Sequence, residues 1–521
     1  MSNITSPSAA PYPDEQLREG AVVDCRLLRA DLRDEYDYVV IGSGAAGAVA
    51  AHTLAKSGAS VAILEEGPWV KTRDFSDDLH TSFNKLMRMS GTQILTGRSF
   101  MPLLQGRCVG GSTVINSAIA WRTPEDVIES WQREFGLGES VTMAKLDPHF
   151  DALERDLNVH PVNDDVLGTS NRLFVETAKA IGIAGAPMQR YERGCKGSSR
   201  CLTGCPSAAK QGMNVSYIPW ALSLGARIFS SCRASKIEVR NGRAVAVHGR
   251  AVDTEGGPSR KVTLIAKKGV FLAASAIQTP NVLRRSGVRN SALGRHFQAH
   301  PGLATFAMFD KPIDMYFGAT QGAEAIDFRK SDRFKLETIS MPPEIAAIRV
   351  PGVGREFVER LTQLGNTAMW VVQVRAKAEG VVRPGFGGAD QVSFSLLKSD
   401  LEQTRKACAV LARLYFAAGA REVWPGIYGV PPILTSPDQV RLIEEGPLDS
   451  RSYSFIATHL FGTARMGPDR ESSVVGLDFS AHDAKGLYVV DSSIFPTNLG
   501  VNPQHSIMAI SRLVATQVAE A

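Results

Sequence analysis

The chain has no run of uncharged apolar residues approaching the ~20 that a membrane-spanning helix needs. Its start, MSNITSPSAAPYPDEQLREG, lacks the basic segment and apolar core of a secretory signal. No block of like charge is present either. The 58 basic and 53 acidic residues are interspersed and leave a net charge of +5, so nothing points to a nucleic-acid partner. Internal repeats are absent, and low complexity is confined to the first residues. Cysteines number only seven, an odd count. Without a secretion signal, that count predicts reduced thiols in a cytoplasmic protein rather than a disulfide framework. What remains is an ordinary globular composition, 44% hydrophobic and 21% charged, over 521 residues. That length exceeds what one core usually supports and predicts two or three domains behind an unstructured leader, residues 1–29.

Residues 36–68, YDYVVIGSGAAGAVAAHTLAKSGASVAILEEGP, read as strand, glycine turn, alanine-rich helix and second strand. Gly42 suits a tight turn, Gly44 close approach of backbone to a pyrophosphate, and Gly47 tight packing of helix on strand. Glu65, just after the second strand, stands where an acid binds a ribose hydroxyl. The unit predicts dinucleotide binding, with helix N-terminal amides facing the phosphates. FAD and NAD fit it equally.

GRCVGGSTVINSAIAWR (106–122) carries Gly110 and Gly111, then small and hydroxyl residues leading to Asn116. This segment resembles the first signature of the glucose–methanol–choline (GMC) family of FAD-dependent alcohol oxidoreductases. The resemblance implies that Asn116 lies beside the reactive edge of the flavin. Ile115 stands where some relatives carry a flavin-linked histidine, so non-covalent FAD is expected. AASAIQTPNVLRRSGV (273–288) resembles the second signature, with Arg289 where glycine is usual. GLYVVDSSIFPTNLGVNPQHSIMAISRL (486–513) resembles the final flavin segment. There the family pattern assigns Asp491 to the pyrophosphate and ribityl chain, and sets Asn502-Pro503 at the head of the last helix against the ring.

Alcohol oxidation needs an acceptor for the hydroxyl proton, and imidazole suits that task. By the family motif, His459 in THLFGTARMG is that residue and Asn502 is its partner. His505, one helical turn past Asn502, is the rival, while His296 and His300 read as structural. A helix dipole at Asn502-Pro503 would help to stabilise a reduced, anionic ring.

Cys195, Cys201 and Cys205 lie in GCKGSSRCLTGCPSAAKQ (194–211). Their spacing is not that of a zinc knuckle, and three thiols leave tetrahedral zinc one ligand short. The loop resembles the [3Fe-4S]-binding loop of bacterial FAD glucose dehydrogenases. It resembles equally the corresponding loop of long-chain fatty alcohol oxidases, for which no cluster is assumed. Iron–sulfur ligation and plain structural thiols both stay open, with Cys232 a candidate fourth ligand. So does the choice between oxygen and an external electron acceptor.

The expected architecture is α/β: a Rossmann-like FAD-binding domain (30–145, 210–300 and 465–521) interleaved with an α+β substrate domain (146–209 and 301–464). In the latter, 303–310, 366–378 and 391–398 read as strands, and 356–364 and 403–419 as helices, giving a sheet backed by helices. The methionine-rich 83–104 segment, with Met87, Met89 and Met101, suits a lid over an apolar substrate. No cluster of Asp, Arg or Asn marks a sugar site, which favours a lipophilic alcohol such as a fatty alcohol or sterol. The competing expectations are a sugar or polyol dehydrogenase using a cluster, and a non-catalytic flavin or cluster electron carrier or redox sensor.

Overall fold

The structure is a computed structural model that describes residues 12–254, 256–386 and 389–521. Its first sheet is built on the strand Leu32–Ile41, whose apolar end Val39–Ile41 is buried. Val61–Leu64 and Lys261–Leu272 flank it in parallel, and Ala484–Val489 runs parallel beyond. These strands carry helices or further chain on both faces, which is why they read as near-continuous apolar runs. The register sets Ile41 beside both Leu64 and Leu272, and Leu272 beside Val489. Four strands therefore end level, and the residues that follow them, among them Gly42, Glu65, Ala273 and Asp491, share one edge. That carboxyl edge is where open α/β sheets bind ligands. Antiparallel strands Arg243–Ala251 and Cys232–Arg240 extend the sheet, which has nine strands among the described residues. Helices Ala45–Lys56 and Gln504–Glu520 pack together against it, the Ser511 hydroxyl donating to the Ala46 carbonyl at 2.7 Å.

The leader expected to be unstructured through residue 29 is ordered over its described part. Val22–Asp24 adds a parallel edge strand on Arg227–Ser230, and buried Asp14 accepts from the Thr72 N–H at 2.7 Å. The driving force is pairing of an exposed sheet edge, which composition alone does not reveal. Residues 1–11 of that leader lie outside the described residues.

A second, antiparallel sheet has Gln298–Met308 and Thr367–Val374 at its centre, with Phe334–Thr338, Ala323–Ala325, Ile456–Phe461 and Glu422–Trp424 alongside. One face is covered by the helix Lys398–Ala417. Tyr415 stacks on Trp370 at 4.1 Å between centroids, and its hydroxyl donates to the Thr305 carbonyl. The helix begins earlier than apolar spacing suggests because the Asp400 carboxylate accepts from the Leu397 N–H at 3.2 Å and caps the first turn. For the same reason the strand expected over 391–398 is cut to Asp390–Ser393, which pairs with Val381–Pro384 in a separate ribbon. The other face of the sheet, including Gly302, Ala304, Glu337, Met369 and Gln373, looks across a cavity at the carboxyl edge of the first sheet. No helix among the described residues is long and apolar enough to cross a membrane.

Candidate active site

The cavity begins at the first glycine turn. Gly42 has φ 98°, and a Cβ there would sit 2.4 Å from the Ala273 carbonyl oxygen. At Gly47 a Cβ would lie 1.9 Å from the Gly42 carbonyl oxygen, so only hydrogen fits between helix and turn. Gly44, the N-cap of helix Ala45–Lys56, has open space where its Cβ would be and lines the cavity. Glu65 closes the same turn. Its Oε2 accepts from the Ser43 N–H (3.0 Å) and hydroxyl (2.6 Å), and its Oε1 from the Gly67 N–H (2.7 Å). Burial raises the pKa of this carboxyl, and those three donors oppose the rise.

Gly110 (φ 97°) and Gly111 (φ 55°) bring the next loop onto this turn, the Gly110 N–H donating to the Ser43 hydroxyl at 3.0 Å. Asn116 lines the cavity with its amide committed: Nδ2 donates to the Tyr191 hydroxyl at 3.1 Å and to Gln504 Oε1, and Oδ1 accepts from the Ala118 N–H at 3.1 Å. Gln504 was not singled out by sequence, since a glutamine at a helix start carries no periodic signal. Asp491 joins three elements. It accepts from the Ser275 N–H (3.0 Å), the Thr279 hydroxyl (2.6 Å) and the Ser493 N–H (2.8 Å), so the second-signature helix Ser275–Arg285 is tied to the end of the last parallel strand.

His459 stands on the strand Ile456–Phe461, directly opposite His300 in register, and their Nδ1 atoms are 3.3 Å apart. Burial, and next the Lys335 charge, push His459 down to about 3, so its ring is neutral at physiological pH and free to accept a proton. His300, read from sequence as structural, stands directly behind this ring. Its Nε2 faces the Gly500 N–H at 2.9 Å and Asn498 Oδ1 at 3.2 Å. Either ring tautomer of His300 thus finds a partner, and the one it adopts sets the tautomer of His459. Asn502 and Pro503 line the cavity beside His459, with Lys335 Nζ donating to Asn502 Oδ1 at 2.6 Å. His505 is fully buried away from the cavity, against Phe150 and 3.3 Å from Glu154.

Among the described residues no three His, Cys, Asp or Glu side chains are grouped to hold a metal ion. Each thiol has its own partner. Cys201 Sγ accepts from Arg190 Nη2 at 3.3 Å, Cys195 Sγ from the Gly197 N–H at 3.5 Å, and Cys205 Sγ from the Lys210 N–H at 3.4 Å. Burial opposes ionisation of Cys201, but Arg190 and Lys210 outweigh it and lower its pKa. The ammonium of Lys210 donates to the carbonyls of Val114, Asn116 and Cys201, clamping this loop to the Asn116 segment. Cys232 is buried in the first sheet beside Cys25. Plain structural thiols, the other expectation, account for these contacts, and nothing among them supports a [3Fe-4S] cluster. The methionine-rich segment also divides: Met87 lines the cavity, Met101 is core, and Met89 is exposed.

A glycine turn at the carboxyl edge of a parallel sheet, facing an antiparallel sheet that carries a neutral histidine, defines a dinucleotide-dependent oxidoreductase. Residues 36–302 and 389–511 match the two sequence profiles of the GMC oxidoreductases. A GMC-type oxidoreductase of Mycobacterium tuberculosis is 36% identical over 92% of this chain and 75% of its own length. The long-chain-alcohol oxidase FAO1 of Arabidopsis thaliana is 27% identical over 93% of this chain and 67% of its own. Among solved structures, pyridoxine 4-oxidase from Mesorbium loti superposes with TM-score 0.70 at 18% identity, covering 92% of this chain and 98% of that one. The chain belongs to the GMC oxidoreductase family of FAD-dependent alcohol oxidoreductases. The residues present fit FAD: the open side of Gly44 leaves room for a pyrophosphate, and the cavity runs unbroken from Glu65 to Asn116 and His459.

Proposed function

We propose that the chain oxidises a lipophilic primary or secondary alcohol, of the fatty alcohol or sterol kind, to an aldehyde or ketone. The observation that carries this reading is the make-up of the cavity. His459 and Asn502 both line it, and so do Leu202, Ala304, Ile339, Met341, Ile345 and Met369, which belong to one apolar cluster. That long-chain-alcohol oxidases are relatives supports the same class. FAD, for which Gly42, Gly44, Gly47, Glu65, Gly110, Gly111, Asn116, Asp491, Asn502 and Pro503 form the proposed binding set, would supply the hydride acceptor. His459 takes the hydroxyl proton as the C–H bond breaks, and Asn502 holds the substrate oxygen. The apolar cluster excludes water, which strengthens both contacts. The presence of two separate sheets supports a division into FAD-binding and substrate domains.

With Ile115 in the place of a flavin-linking histidine, FAD is dissociable, and acid precipitation should leave all the flavin in the supernatant. Anaerobic bleaching of the flavin should be fast with decanol or cholesterol and slow with glucose. Reduction by glucose alone would overturn the substrate assignment.

A further inference from the structure

Lys335 is wholly buried, and three oxygens surround its ammonium: Glu324 Oε2 at 3.0 Å, Glu337 Oε1 at 2.5 Å and Asn502 Oδ1 at 2.6 Å. Glu324 and Glu337 are directly opposed in adjacent strands, a like-charge pair that a cation between them relieves. Burial disfavours the charge on Lys335, yet the two carboxylates overcome it and hold its pKa above the ordinary value. The framework around this cation is itself fixed. The Trp121 indole N–H donates to Glu324 at 2.9 Å, and Gln321 Nε2 donates to Glu337 Oε2 at 2.8 Å.

An ammonium only donates, so the Asn502 atom beside it is the oxygen and the amide has one orientation. With Oδ1 committed, Nδ2 is the end left for the cavity that Asn502 lines. We propose that Lys335 is a positioning residue for alcohol oxidation: it locks Asn502 so that the substrate oxygen meets a fixed N–H donor and never an acceptor. This rests on the alcohol-oxidising reading above. As the hydroxyl proton passes to His459, the oxygen gains negative charge. A preset N–H donor then binds it more tightly than it binds the neutral hydroxyl. The Lys335 charge also helps to keep the proton off His459 until the substrate supplies one.

The test is the isosteric change Asn502→Asp, alone and combined with Lys335→Met, read by thermal melting, FAD content and anaerobic flavin reduction. In the parent background the introduced carboxylate should pair with Lys335, so the variant keeps its FAD and melts no lower than the parent. Its flavin reduction should fall about 10²-fold, the usual effect of losing one transition-state donor. In the Lys335→Met background the same change should lower the melting point, a reversal of sign. Lys335→Met alone should shift the acid limb of the pH–rate profile upward, an effect that a purely structural role would not produce. Asn502→Asp reducing flavin within about threefold of the parent would overturn the donor role. Additive melting shifts would overturn the lock. If no alcohol bleaches the parent enzyme, the functional reading fails while the melting comparison still decides the lock.

Discussion

At the scale of single residues the site rests on a histidine kept neutral by its surroundings. Removing the imidazole with His459→Ala should slow flavin reduction by about 10²-fold or more, the usual contribution of a general base, with FAD still bound. The pH dependence follows from the sign of the shift. A base whose pKa is lowered to about 3 stays unprotonated far below the ordinary 6.5, so the rate should be flat from neutral to mildly acidic pH and fall only near that value. An acid limb centred near 6.5 in stopped-flow reduction would contradict this environment. His300 is a different kind of residue. Its ring meets His459, Asn498, Gly500 and Phe461, and its proposed part is to set a tautomer.

At the scale of elements, the strand–turn–helix of residues 38–56 separates two uses of glycine. Gly44→Ala places a methyl group in open space on the cavity wall. The apo protein should melt within about 0.5 kcal/mol of the parent, as surface-type changes do, while FAD affinity drops. Gly47→Ala instead drives a methyl group into the Gly42 carbonyl, which must move. Overpacking of this kind costs about 1–3 kcal/mol, so both melting and FAD binding should suffer. Calorimetry of the two apo variants, followed by FAD titration, separates the cases. A stable Gly47→Ala protein with parental affinity would show that the turn tolerates what its geometry forbids.

At the scale of the whole molecule, two sheets of different type enclose one cavity, and buried or half-buried neutral histidines lie in the parts that frame it. Burial lowers His52 to about 4 and His459 to about 3, and puts His300 well below its ordinary value. Below about pH 6.5 the unfolded chain binds protons that the folded chain refuses, so stability present at neutral pH is lost as pH falls towards those folded values. The melting temperature should decline steadily from about pH 6.5 to 4, and a melting curve independent of pH over that interval would exclude the linkage.

The sequence by itself determined the parallel sheet with its glycine turn, the family signatures, and the candidacy of His459 and Asn502. Those are local or ordered along the chain: apolar period, turn chemistry, short motifs. It did not reveal that Val22–Asp24 is an edge strand, that Lys335 lies under Asn502, or that His300 backs His459, because each depends on partners more than a hundred residues away in the chain. Nor did thiol spacing foretell that Arg190 and Lys210 would sit among the cysteines. Only the packed fold decides these, since a buried charge or imidazole takes its chemistry from whatever tertiary contact places within hydrogen-bond reach.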